Sequence, residues 1–181
     1  MPTEVNGLPA HVLLVHVVVA LVPLTGLLLL LSVFWPAARA RIGVALPVLA
    51  LVTLVSVPVT THAGEWLEHR VDPDPLVERH AELGDQMLPW AIGLFVVSVL
   101  VWAAHRWSLA GSGTSAHADP AARGATALRR EGGFALPLAA ALAVLAVVAT
   151  IGSVVTVYRI GDSGAKASWH DSFSKTPHGE D

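Results

Sequence analysis

The sequence predicts an all-α protein, an integral membrane four-helix bundle, and three observations lead there. Hydrophobic residues make up 54% of the 181-residue chain and charged residues only 14%, whereas soluble domains carry about a quarter charged residues. Mean hydropathy is +0.61. Four apolar runs, spans of about 8–35, 42–61, 80–105 and 134–158, match or approach the roughly 20 helical residues that cross a hydrocarbon core of about 30 Å. They place the helical domain at 1–171 and leave 172–181 as a polar, disordered tail, with no room for a large soluble domain.

The first run lacks a basic leader, is far longer than the apolar part of a signal peptide, and ends on Trp35-Pro36 instead of a small-residue cleavage site. It therefore reads as a retained span. Pro23, Pro47, Pro58 and Pro89 fall inside the runs, and a bilayer tolerates them because neighbouring helices and hydroxyl side chains satisfy the freed carbonyls. Trp35, Trp66, Trp90, Trp107 and Tyr158 stand near the run ends, at the depth where amphipathic rings meet headgroups. The third helix is expected to start above the membrane. Asp74 suits the N-cap and Pro75 the first helical position, with Glu78 in the first turn. From there it reads as continuous to about His105, roughly 46 Å at about 1.5 Å per residue. Residues 108–130, rich in Gly, Ser and Ala, read as a flexible connection.

The Lys and Arg count orients the bundle. Arg39, Arg41, Arg106, Arg123, Arg129 and Arg130 belong to one side; Arg70, Arg79, Arg159, Lys166 and Lys175 belong to the other. The second connection carries Glu65, Glu68, Asp72, Asp74, Glu78, Glu82 and Asp85 as well. The slight positive-inside bias places both termini and this acidic connection outside a bacterial cytoplasmic membrane. The formal net charge of −3 gives no argument for nucleic acid. The absence of cysteine excludes disulfides, thiolate metal sites, cysteine-ligated iron–sulfur clusters and covalent c-type haem.

Histidines gather at the proposed outer end: His11, His16, His62, His69, His80 and His170 out of nine in the chain. His16 lies within an apolar run, and ionisable groups in spans usually face the bundle interior. Its expected stripe continues through Ala20, Pro23 and Gly26, small residues that admit another helix. Gly26 should face a neighbouring helix, and Leu29 should lie on a different face. If the second helix continues past the membrane, His62, Glu65 and His69 share one side of it, a stripe able to ligate zinc, iron or copper or simply to be solvated. His80 opens the third helix. His11-x4-His16 followed by His62-x-Gly64 is echoed by His80-x4-Asp85 followed by Asp162-x-Gly164, which suggests two pseudo-repeated helical hairpins about an axis along the membrane normal.

Residues 6–16 (NGLPAHVLLVH) and 159–167 (RIGDSGAKA) resemble an uncharacterised family of small four-helix bacterial membrane proteins, a domain of unknown function that opens on a His-Pro-x-x-Val-His type of entry. Here Val12 stands where proline commonly follows the first histidine, and Asp162 where histidine is expected. Some relatives are joined to Rieske iron–sulfur domains, so the resemblance implies membrane electron transfer.

The residues support three functions. The first is a b-type haem or transition-metal protein of a redox chain, with His16, His62 and His80 as axial candidates, His11 in reserve, and His62, Glu65 and His69 as the metal alternative; four-helix bundles hold haem between facing helices. The second is a non-catalytic membrane subunit or assembly factor. The third is proton or metal-ion transport through His16, Asp85 and their neighbours. No Ser-His-Asp, phosphate-loop, dinucleotide-binding or zincin motif is visible, so an enzyme in its own right is not expected. The expected partners are lipid, redox proteins and further copies of the chain.

Overall fold

The computed structural model describes residues 4–114 and 135–170. The chain opens on a short hairpin, β1 (Glu4–Val5) paired antiparallel with β2 (Leu8–Pro9). Asn6 and Gly7 turn it with φ of 53° and 77°. Both values belong to a two-residue hairpin turn, for which Asn-Gly is the favoured pair. The helices follow as α1 (Ala10–Phe34), α2 (Pro36–Ile42), α3 (Ala45–Glu68), α4 (Pro75–Asp85), α5 (Met87–Thr114) and α6 (Ala135–Trp169). Four stretches are long and apolar enough to cross a membrane: α1, α3, α4 together with α5 as far as Trp107, and α6.

Local chemistry explains the breaks. Trp35 is extended, as the residue before a proline prefers, and Pro36 then opens α2. Arg39 folds back so that its guanidinium donates to the Ser32 and Val33 carbonyls, which the end of α1 leaves unpaired. Asp74 caps α4 by accepting from the Leu76 amide at 2.7 Å, with Pro75 at the first position. The third helix is not continuous, however. It breaks at Gln86 between α4 and α5, because Pro89 cannot donate to the Asp85 carbonyl and its ring crowds that oxygen. Two helices also run further than expected: α3 continues beyond Thr61 to Glu68, and α6 beyond Tyr158 to Trp169. The connection begins later than residue 108, since α5 persists to Thr114; no proline stands between Pro89 and Pro120 to stop it. The rest of that connection and the tail at 172–181 lie outside the described residues.

Around the bundle the order is α1, α3, α5, α6, each packed on its two neighbours, with α4 lying over α6 and α3. The apolar core is built from Val22, Leu29, Leu46, Val57, Met87, Ala91, Leu94, Val97, Val101, Ala146 and Ala149. Between these sit buried hydroxyls, among them Thr25, Thr53, Thr150 and Ser153. Small side chains let the backbones approach. A Cβ added at Gly26 would lie 2.6 Å from Thr150 Cγ2, and one at Gly152 would enter the Trp90 ring.

Thr25 and Thr53 join α1 to α3 through a buried hydroxyl pair at 2.8 Å. Thr53 donates to the Leu49 carbonyl, so Thr25 donates to Thr53. Thr53→Val keeps the shape and removes that acceptor. The expected cost is about 1 kcal/mol, within the range measured for hydrogen bonds between membrane helices, read as a lower midpoint of unfolding in detergent. An unchanged midpoint would show that the pair contributes nothing.

Two constant separations run through the packing. The separation between His11 and His80 also relates Val22 to Ala91, Thr25 to Leu94, Leu29 to Ser98 and Ser32 to Val101, every one of them buried. The separation between Gly64 and Gly164 relates Leu46 to Ala146, Ala50 to Thr150, Thr53 to Ser153 and Ala63 to Ser163, again all buried. The hairpin of α1 and α3 thus presents the same inward positions as α4, α5 and α6.

Candidate functional site

A cavity of about 550 Å³ opens at the end of the bundle where α1 and α4 begin and α3 and α6 finish. Val15, Val18, Val57, Val77, Met87 and Ile160 are among its apolar lining, and Glu65, Glu68, Asp72, Asp74 and Asp85 stand among its polar residues. The volume falls within the range of small-molecule sites, about 300–1,000 Å³.

Two half-buried histidines reach this cavity from different hairpins. His11, in the first turn of α1, lies 3.0 Å through Nδ1 from the Thr60 carbonyl of α3. His80, on α4, lies 3.1 Å through Nδ1 from the Ile160 carbonyl of α6 and 3.0 Å from Ser163 Oγ. A carbonyl only accepts, so Nδ1 carries the proton in both rings and Nε2 keeps its lone pair. Ser163 gives its own proton to the Ile160 carbonyl at 2.8 Å, which leaves its oxygen free to accept from His80.

Glycine makes both hydrogen bonds accessible. A helical side chain covers the turn N-terminal to its own Cα, so a side chain at 64 would lie over the Thr60 carbonyl and one at 164 over that of Ile160. The imidazoles occupy that space instead. A Cβ at Gly64 would meet His11 Cε1 and Nδ1 at 3.0 Å, and a Cβ at Gly164 would meet His80 Cε1 at 2.9 Å. The two seats are equivalent: histidine on one helix, and on the next a carbonyl with glycine one turn after it.

The two rings are neighbours in an edge-on arrangement, with centroids 6.1 Å apart and planes 80° apart. Two imidazoles ligating one metal from opposite sides through Nε2 hold their centroids about 6 Å apart, because each metal–nitrogen bond is about 2 Å and each ring adds about 1 Å more. The donor set suits b-type haem, which takes two neutral imidazoles, each donating its second N–H to a carbonyl, and needs no cysteine. The apolar walls suit a macrocycle.

The other sequence candidates lie elsewhere. His16 is exposed on the outer surface of α1 and bonds back through Nδ1 to the Val12 carbonyl at 2.7 Å. The inward face of α1 runs instead through Val22, Thr25, Gly26, Leu29 and Ser32. Ala20 and Pro23 are exposed like His16. Gly26 does face another helix, but it shares that face with the fully buried Leu29, against the expected contrast between them. His62 and Glu65 form an exposed pair at 3.5 Å, and His69 turns its Nδ1 to the Glu65 backbone. The structure does not bring His62, Glu65 and His69 together as ligands; among the described residues no group of three or more His, Cys, Asp or Glu side chains converges on a metal-sized site. His170 approaches the cap residue Asp74 at 3.7 Å, linking the end of α6 to the start of α4.

Sequence reasoning gave no role to the Thr60 and Ile160 carbonyls or to Ser163. The glycines following His62 and Asp162 were the available signal, since they recur at the close of both hairpins. Compared with protein-family models, with curated proteins and with solved structures, the chain matches none.

Proposed function

We propose that the chain crosses a bacterial cytoplasmic membrane four times and holds b-type haem between His11 and His80 for one-electron transfer. The pair of carbonyl-anchored imidazoles, with ring centroids 6.1 Å apart, carries this reading. When bound, haem would supply a one-electron carrier; His11 and His80 would hold it, the Thr60 and Ile160 carbonyls would fix their tautomers, and valine, methionine and isoleucine side chains would form the apolar part of its surroundings. We read the two equivalent seats as the product of a repeated hairpin.

The distribution of side chains supports the membrane. Val17, Leu24, Leu27, Val48, Val55, Val96, Val148 and Ile151 are exposed, while hydroxyls and alanines occupy much of the interior. Water would disfavour that surface, and lipid does not. We assign the cavity to the extracytoplasmic side, and Arg39 and Arg41 at the opposite end support that orientation. Rieske-type iron–sulfur proteins, the class named by the family resemblance, are the partners we assign to it.

An absorption spectrum of the detergent-solubilised protein, expressed with ample haem precursor, tests the haem. A Soret band that sharpens and shifts on reduction is expected; a folded, colourless protein would leave a non-catalytic membrane subunit as the better reading. Orientation is tested separately in the naturally cysteine-free chain. Asp72→Cys should react with an impermeant thiol reagent added to intact cells, and Arg41→Cys should react only after permeabilisation. The reverse pattern would invert the topology.

A further inference from the structure

Resting on the haem reading, we infer that Gly64 and Gly164 are positioning residues that hold the axial imidazole planes of His11 and His80 at nearly right angles, and that this angle sets the electronic state of the iron. The angle is 80°. It follows from the seats. Each ring is fixed at Nδ1 by a helix carbonyl, Thr60 at 3.0 Å or Ile160 at 3.1 Å, and its Cε1–Nδ1 edge presses on a glycine where a Cβ would come within about 3 Å. Two contacts on one edge leave a ring little freedom to rotate about the axis through its metal-binding nitrogen. Ser163 adds a third contact for His80.

The consequence is electronic. An imidazole donates π density into the iron d orbital perpendicular to its own plane. Parallel planes load one orbital and split it from its partner; crossed planes load both equally and leave them nearly degenerate. Ferric low-spin iron between crossed imidazoles keeps a large orbital moment. Its paramagnetic resonance spectrum is then dominated by one strongly anisotropic low-field feature instead of three resolved lines. Crossed planes also give the ferric state less π stabilisation, which favours the reduced form. The Nδ1–H donations act in the opposite sense by raising ligand basicity.

The experiment uses the full-length, haem-loaded protein in its oxidised state, frozen in detergent. The wild type should show the single low-field feature together with a six-coordinate low-spin absorption spectrum. Gly64→Ala and Gly164→Ala should keep the low-spin spectrum and move the resonance toward three resolved lines, with a lower reduction potential. Gly161→Ala, where a Cβ meets nothing within 4 Å, should leave both readings unchanged. Ser163→Ala removes the third contact on His80 and should move the resonance toward three resolved lines, less far than Gly164→Ala does, which keeps the positioning of this ring testable if an alanine at 64 or 164 prevents folding. A resonance of three resolved lines in the wild type would overturn the crossed-plane inference while the haem reading stands. Unchanged resonance and potential in both glycine variants, or an unchanged resonance in Ser163→Ala where those variants do not fold, would remove the positioning role. Absence of a Soret band defeats the haem reading itself, and this inference with it.

Discussion

Replacing His11 or His80 with alanine is expected to abolish the low-spin haem spectrum, whereas alanine at His16, His62 or His69 leaves it unchanged. The division follows from where the nitrogens are. His11 and His80 line one cavity from opposite hairpins with their Nε2 lone pairs free, while His16, His62 and His69 are exposed and engaged with their own helix. Loss of an outer-shell partner alone costs metal affinity about 10–100-fold, so loss of an axial nitrogen should weaken haem binding by about 100-fold or more. Titration of the purified variants with haem, followed at the Soret band, measures this. Full binding by His11→Ala together with loss of binding by His16→Ala would restore the assignment that hydropathy suggests and break the one that geometry supports.

The outward placement of His16, against the expected inward one, has a definite physical cause. From sequence, its depth in an apolar run was the argument, because an ionisable group there should turn inward. That rule ranks residues by depth, but facing is decided by helical phase, and α1 has too uniform a composition to reveal its phase. Val, Leu and Ala occupy both its inner and outer faces. His16 manages its polarity locally, donating to a carbonyl one turn back. His11 is shallower and stands only in reserve behind His16, His62 and His80. Its placement depends on the Thr60 carbonyl 49 positions away, and no local pattern reports a contact of that span. The recurrence of glycine after His62 and Asp162 was legible, but its meaning lay in the missing side chain and not in the polar residue two positions earlier.

The fold was legible to a greater depth. Apolar runs of bilayer length emerge as α1, α3, α5 and α6, and the Asp74-Pro75 signal marks the start of a helix through the expected cap. The break at Gln86 was written in Pro89, whose ring removes one bond and crowds the carbonyl four residues back; an apolar run tolerant of prolines concealed it. Likewise Asn6-Gly7 is a strong hairpin signal, overlooked because strands of two residues on each side show no alternation to accompany it. What the sequence could not supply is which faces meet. In a water-soluble bundle the polar face answers that question, but here the outer surface is as apolar as the core, and the inward stripes are marked by Gly, Ala, Ser and Thr.

That marking yields the second large effect. Gly26→Leu should destabilise the bundle by about 3 kcal/mol, near the upper end of the usual cost of overpacking. Gly26 is buried where α1 crosses α6, and even a Cβ there would stand 2.6 Å from Thr150 Cγ2. Thr150 is itself buried and β-branched, hence stiff at its first torsion, and its hydroxyl reaches the Gly26 carbonyl at 3.4 Å. Relief therefore requires the two helices to separate. Leu29→Phe, one turn further on the same buried face, should also destabilise, by about 1–3 kcal/mol. Leu27→Phe supplies the contrast, because Leu27 is 54% exposed and a surface change away from packing usually stays within about 0.5 kcal/mol. Unfolding of the three variants in detergent, followed by circular dichroism, ranks them. Equal stability of Gly26→Leu and Leu27→Phe would mean that α1 does not meet α6 at this face, and the pairing of hairpins that brings His11 opposite His80 would lose its support.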